Sequence, residues 1–342
     1  MLGTEELRVI RAQGGPHALG HALGVAGRAA VGDVLMPSAL WQAVTAPVHA
    51  ARVARLASAT QARFAQVWAE IEGLAEGLEL PLAQVFAWNC RGDLLVHAAE
   101  GCTSVQLPGA APVIGHNEDG MPGLRGHAFL AHLQPEAGPE IVSFCYPGSI
   151  VGHTFACTGA GLVQAVNNLR LTGLAPAIPR MVLGRAVLAC ADLETACAVV
   201  QRDNASGGFH MTLAQSGDPR LLSVEYGGGA CAVVEVTAPA VHANHALHLG
   251  LEQVVTRSSR DRQRRGAAML GQNVRAILRD TGGPGLPIFR THPDDPDEEN
   301  TLATAIFQLS GDGVHLKVID PSGAEIGVEV DCRAASGRVI WR

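Results

Sequence analysis

The stretch AAEGCTSVQL places Gly101-Cys102-Thr103-Ser104 directly before an alternating apolar run. A thiol at neutral pH is mostly protonated and becomes an effective nucleophile only beside a base or a cation. Glu100 and His97, the nearest ionisable residues in sequence, supply no fixed base. Scission of the Gly101–Cys102 bond would supply one, because the freed α-amine, with a pKa of about 7.7 to 8.0, would lie close to the sulfur. Glycine at 101 suits that event: a residue without Cβ lets the thiol approach the preceding carbonyl and tolerates the strained backbone that attack requires. The competing reading of the same four residues is a cysteine that only packs at a strand start.

Four other segments carry polar groups that could serve a site. VIGHNEDG brings Asn117 and Asp119, though the same letters suit a strand ending in a turn. HANHALH brings His242, Asn244, His245 and His248. Read as a strand, it turns His245 away from the face shared by 242, 244 and 248, which argues against a three-histidine metal site. VVTRSSRDRQRRG places Arg257, Arg260, Arg262, Arg264 and Arg265 on a helix, where they read as a solvated face, and NCRGDLL sets Arg91 beside Asp93 as a candidate charge pair. PGSIVG lacks the glycine that a nucleophile elbow needs two residues before its serine, and GAGLVQ has no third glycine for a dinucleotide loop.

Composition narrows the chemistry further. Lys317 is the only lysine, in a strand-like context, which removes P-loop, Schiff-base and Ser-x-x-Lys mechanisms. A net charge of −7 argues against a nucleic-acid surface. Eight cysteines without a Cys-x-x-Cys pair, and an N-terminus without a basic-then-apolar leader, point to reduced thiols and a cytoplasmic location. No apolar run is long enough to cross a membrane. With 47% hydrophobic residues, the 342-residue chain can bury a large core.

Positioning such a site falls to the surrounding elements. Glycine-punctuated 15–24 reads as irregular; an Ala-rich pattern from Trp41 to Gly77 reads as helix interrupted at Pro47, with a short helix following from Pro81 to Asn89. From Cys102 onward short β runs follow one another to about residue 168. Two helices are expected over 178–202, strands again from FHMTLAQ to AVHANHAL, a helix over 258–279, and three last strands after the solvated loop THPDDPDEEN. Blocks of strands and blocks of helices predict an α+β fold with antiparallel sheets rather than a parallel βαβ fold.

GGPHALGHALG, NCRGDLL, GCTS, GHNEDG, GAGLVQAVNNL and HANHAL, in this order, resemble the acyl-coenzyme A:6-aminopenicillanate acyltransferase family, peptidase family C45, of self-processing N-terminal-nucleophile hydrolases. The resemblance implies a four-layer αββα sandwich with the Cys102 strand at its centre. It further implies autocleavage between Gly101 and Cys102 into a helical α chain, 1–101, and a β chain, 102–342, which stay associated as one integrated domain. Cys102 would be the nucleophile, Asp119 an essential acid with Asn117 nearby, and Asn244 the oxyanion donor; Asn167, Ser259, Arg262 and Arg91 would support the site or bind substrate. In the family an aromatic residue usually follows the aspartate, whereas Gly120 stands here. The implied partner is a small-molecule amide or acyl thioester; no cofactor, metal, nucleic acid or membrane is implied, and self-association into a homo-oligomer stays open. Two rivals remain: an unprocessed thiol hydrolase pairing Cys102 with His116 or His245, and a non-catalytic ligand-binding protein that keeps the fold.

Overall fold

The computed structural model describes residues 7–96, 101–292, 294–333 and 337–342. In chain order the strands are β1 (Arg8–Gly14), β2 (Gly101–Leu107), β3 (Val113–Gly120), β4 (Phe129–Pro135), β5 (Ile141–Cys145), β6 (Phe155–Thr158), β7 (Leu162–Asn168), β8 (Phe209–Gln215), β9 (Leu221–Gly227), β10 (Ala230–Glu235), β11 (Ala240–His242), β12 (Asn300–Leu309), β13 (Gly313–Ile319), β14 (Glu325–Asp331) and β15 (Arg338–Trp341). They form two sheets, ordered β1-β4-β5-β6-β7-β8-β9-β10 and β11-β2-β3-β12-β13-β14-β15. Every pairing is antiparallel except β1 with β4.

The sheets meet face to face through β2 and β7, and helices cover both outer faces. Pro16–Ala30 lies on β1 and β4, Leu193–Arg202 on β8 to β10, Arg257–Ala268 on β2 and β11, and Val274–Leu278 on β2, β3 and β12. This is the expected α+β, αββα arrangement. The inward faces of the strands carry both the main apolar core and a buried set of polar residues, including Ser104, His116, Glu118, Asn167 and His210.

Four local expectations need correction. Residues 16–24 are helical: Pro16–Ala30 is a regular helix whose Gly20 and Gly24 face the helix Ala65–Leu78. A Cβ on Gly20 would stand 1.8 Å from the Glu70 carbonyl oxygen, and one on Gly73 would stand 1.9 Å from that of His17, so the glycine texture marks a helix crossing of very close approach. The helix expected over 258–279 breaks in two, Asn273 capping the second half through its Oδ1 and the Ala276 N–H.

The strand expected over AVHANHAL stops at His242. Beyond it, the N–H groups of Leu247, His248 and Leu249 turn to the buried Glu225 carboxylate instead of a ladder, and His242 Nε2 joins them at 2.8 Å. Although burial raises it, these bonds pull the Glu225 carboxyl down to about 2. Finally, β2 is not central: it is second from the edge, flanked by the three-residue β11.

Candidate active site

That edge position shapes the environment of Cys102. The β11–β2 ladder ends at the pair His242↔Ser104, so the Cys102 N–H has no backbone partner there. Asn244, where the ladder would have continued, substitutes its side chain: Oδ1 accepts the Cys102 N–H at 2.9 Å. The same oxygen accepts Arg262 Nη2 at 2.6 Å, while Asn244 Nδ2 donates to the Asn168 carbonyl at 3.2 Å. Two donors on one side and a carbonyl on the other fix the amide's orientation. Ser259, one turn before Arg262, accepts the Asn244 backbone N–H at 2.8 Å and meets His245 Nδ1 at 2.7 Å. Arg262 also binds the Cys102 carbonyl and Thr103 Oγ1. It is the buried member of an otherwise outward-facing arginine row, and burial lowers its pKa.

The sulfur points to the opposite environment, between the sheets. Cys102 pairs with Glu118 across β2 and β3, and Sγ lies 3.8 Å from Glu118 Oε2. Glu118 Oε2 is 3.1 Å from His116 Nε2, and Tyr146 donates its hydroxyl to Glu118 Oε1 at 2.7 Å. Behind His116 a chain of bonds fixes its tautomer. Asn167 Nδ2 donates to the His242 carbonyl at 3.1 Å, which leaves Asn167 Oδ1 to accept Ser104 Oγ–H at 2.7 Å and His210 Nδ1–H at 2.9 Å. With its one hydrogen spent on Asn167, Ser104 Oγ must accept from His116 Nδ1 at 2.9 Å. A neutral His116 therefore turns an Nε2 lone pair toward the Glu118 carboxyl, and burial pushes its pKa down to about 3.

A third group of charges lies by Gly101. Gly101 pairs with Asp119, and a Cβ on Gly101 would stand 2.2 Å from Glu299 Oε2. Glycine is required here for space. Glu299 Oε2 bonds Arg290 Nη1 at 2.5 Å and Oε1 bonds Arg170 at 3.3 Å. Burial still pushes the Glu299 carboxyl up to about 7, against the pull of Arg290, Arg170 and Arg262. Asp119 Oδ1 accepts Thr301 Oγ1 at 2.7 Å, while Oδ2 has no hydrogen-bond partner among the described residues. Its pKa too is raised, by burial first, with Arg262 and Arg290 opposing. THPDDPDEEN is thus not wholly solvated: Asp295 and Glu299 are buried around Arg290.

The residues singled out in sequence divide accordingly. Cys102, Gly101, Asn244, Ser259 and Arg262 come together. Asp119 faces Gly101 and the arginines rather than the sulfur. Asn117, on that same face of β3, donates to the Leu278 and Ile288 carbonyls and accepts Thr304 Oγ1, tying a loop to the sheet. Asn167 stands behind Ser104. Arg91 packs over Trp88 and reaches Ser149 Oγ at 3.4 Å; Asp93 accepts from Ser206 and the Gly207 and Arg180 N–H groups. His242, His245 and His248 make no common cluster, their contacts running to Glu225 and Ser259. His97 and Glu100 lie outside the described residues.

Glu118, His116 (named only as a partner of Cys102 in the rival reading), Ser104 and Glu299 were not assigned these positions from the sequence. Strand parity could have found the first three: residues 102, 104, 116 and 118 share one face once β2 and β3 are paired with Cys102 opposite Glu118. Gly120 also acquires a reason. A Cβ there would stand 2.6 Å from the Tyr146 hydroxyl, so an aromatic ring from β5's end fills the space beside Asp119.

The β-alanyl-dopamine/carcinine hydrolase of Drosophila melanogaster is 24% identical over 313 aligned residues, 77% of this chain and 78% of that protein. A crystal structure of a mutant conjugated bile acid hydrolase from Clostridium perfringens superposes with a TM-score of 0.41 and 12% identity, covering 70% of this chain and 96% of that one. A family model described as acyl-coenzyme A:6-aminopenicillanic acid acyl-transferase matches residues 107–322, from the end of β2 to the turn after β13. Because that match spans more than half of the chain and contains His116, Glu118, Asn244, Ser259, Arg262 and Glu299, the chain belongs to the acyl-coenzyme A:6-aminopenicillanic acid acyl-transferase family.

Proposed function

We propose that this chain is a self-processing cysteine amidohydrolase or acyltransferase that acts on a small N-acyl amide through an acyl-enzyme on Cys102. The observation that carries the reading is the two-sided hold on Cys102: its nitrogen is fixed by Asn244 and its carbonyl by Arg262, while its sulfur lies beside the Glu118–His116 pair. Packing alone would not call for a full set of buried polar partners around one small residue.

In the intact chain, Sγ attacks the Gly101 carbonyl, the thiol proton ends on the departing Cys102 nitrogen, and water hydrolyses the resulting thioester. The products are a Gly101 carboxylate and a free Cys102 α-amine. In turnover that amine accepts the thiol proton as Sγ attacks the substrate amide. The leaving amine departs protonated, and water or a second amine resolves the thioester. Asn244, whose Oδ1 holds the nucleophile's nitrogen, retains one Nδ2 hydrogen for the oxyanion; a preorganised donor of this kind is worth about 3 kcal/mol. The likeness to a β-alanyl-dopamine/carcinine hydrolase supports an amide of a small acyl group and a small amine as the substrate class. A thiol–imidazole pair in an intact chain is less well supported, since His116 Nε2 faces Glu118 and His245 Nδ1 is engaged by Ser259.

A denaturing gel with N-terminal sequencing tests the proposal. Fragments of 101 and 241 residues, the larger beginning CTSVQL, are expected, and Cys102→Ala should abolish both cleavage and amide turnover. Cleavage that persists in Cys102→Ala would sink the reading.

A further inference from the structure

We infer that Cys102, His116 and Glu118 form a binding site for a thiophilic divalent cation, zinc above all, whose occupation silences the nucleophile. The inhibitory half of this inference rests on the proposed role of Cys102; the binding half rests on geometry alone.

The donor atoms of these three residues all lie within 4.8 Å of one another. Zinc bonds of about 2.3 Å to sulfur and about 2.0 to 2.1 Å to nitrogen or oxygen set tetrahedral ligands roughly 3.3 to 3.6 Å apart. The observed separations, 3.1 Å from Nε2 to Oε2 and 3.8 Å from Sγ to Oε2, bracket that range, and Sγ and Nε2 lie within 4.8 Å of each other. A mixed sulfur, nitrogen and oxygen set selects zinc over magnesium or calcium, which take oxygen ligands.

Orientation of the imidazole is the second argument. A histidine ligand needs a bare nitrogen toward the metal, with its other nitrogen donating to an outer partner. The relay from the His242 carbonyl through Asn167 and Ser104 enforces that tautomer, leaving Nε2 as the lone pair that faces Glu118. Tyr146 holds the far carboxyl oxygen, so Oε2 is the one presented. Binding expels the thiol proton to solvent. In the cleaved chain the α-amine of Cys102 can complete the coordination by chelating together with its own sulfur.

The test uses full-length protein as purified, stripped with a chelator and titrated with zinc chloride against a chromophoric competitor. One zinc per chain is expected. Cys102→Ala and His116→Gln should each weaken binding by at least about tenfold, the scale at which even outer-shell changes act on metal sites. Cys231→Ser, remote from the site, should leave it unchanged. Because His116→Gln alters a buried network, a second measurement is made on unmodified protein: zinc should protect Cys102 from alkylation, mapped by mass spectrometry, and cobalt should give a thiolate charge-transfer band. Equal alkylation of Cys102 with and without zinc, or undiminished zinc binding by Cys102→Ala, overturns the site. Protection of Cys102 in a chain that neither cleaves nor turns over would uphold the cation site and reject the catalytic reading. Cleavage and turnover that zinc leaves unaffected would do the reverse.

Discussion

Arg262 and Asn244 are joined by a 2.6 Å bond from Nη2 to Oδ1, on the same oxygen that receives the Cys102 N–H. A single fully buried guanidinium thereby sets the position of the side chain that holds the Cys102 nitrogen. Its Nη1 simultaneously grips the Cys102 carbonyl and Thr103, so the peptide groups on either side of the Cys102 Cα are referenced to one rigid planar fork.

This arrangement predicts that charge alone will not replace the fork. Arg262→Lys keeps the cation but cannot span Asn244, Thr103 and the Cys102 carbonyl together. Displacements of about 1 Å at a reacting centre cost on the order of 100-fold, and self-cleavage should slow on that scale, followed as loss of the intact band with time. Arg262→Ala should instead fail at the level of folding, by about 3 to 5 kcal/mol, because it strands buried acids without their counter-charge. A Lys variant that cleaves at the unmodified rate would contradict the positioning role.

Gly101 offers a steric test. Gly101→Ala drives a methyl into Glu299 Oε2, with Asp119 Cβ also only 3.3 Å away. The scissile bond must shift, and cleavage should slow at least about tenfold even though the chemistry of an Ala–Cys bond differs little. The double variant Gly101→Ala with Glu299→Ala creates room, and partial recovery of cleavage is the expected readout.

How much of this was legible in the sequence varies from residue to residue. Gly101-Cys102 was legible, since glycine before a cysteine is a local chemical signal, and the block order of strands and helices carried the fold class. Glu118 was not, because whether it or Asp119 faces the sulfur depends on a register between β2 and β3 that no single strand encodes. Glu299 was hidden by its neighbours: an acid in a Pro/Asp-rich run reads as solvated, and only the convergence of Arg170, Arg262 and Arg290 from distant segments makes its burial tolerable. The helix Pro16–Ala30 was obscured because glycines that permit close packing look, in one dimension, like glycines that break helices.

That helix crossing predicts a stability effect far from the chemistry. Gly20→Ala places a methyl against the Glu70 carbonyl, backbone that cannot rotate aside. Overpacking of this kind costs about 1 to 3 kcal/mol, so the melting temperature should fall clearly while Gly32→Ala, which meets nothing within 4 Å, should not lower it. Equal melting temperatures for the two variants would show that the helices separate freely.

The two perturbed buried groups nearest the scissile bond and the sulfur pull stability in opposite directions with pH. Glu299 rises from 4.5 to about 7 in the fold, so its contribution is fully present below pH 4.5 and is lost as pH rises through about 7. His116 falls from 6.5 to about 3, so its contribution is fully present above pH 6.5 and is lost as pH falls toward 3. Between pH 4.5 and 6.5 the two slopes, each about 1.4 kcal/mol per unit, oppose one another. In the intact Cys102→Ala chain, adding Glu299→Gln should therefore make denaturant-measured stability rise more steeply with pH across this window than the parent. Adding His116→Gln should make it fall more steeply. Curves that stay parallel to the parent's from pH 4.5 to 6.5 would mean that neither group changes its protonation affinity on folding.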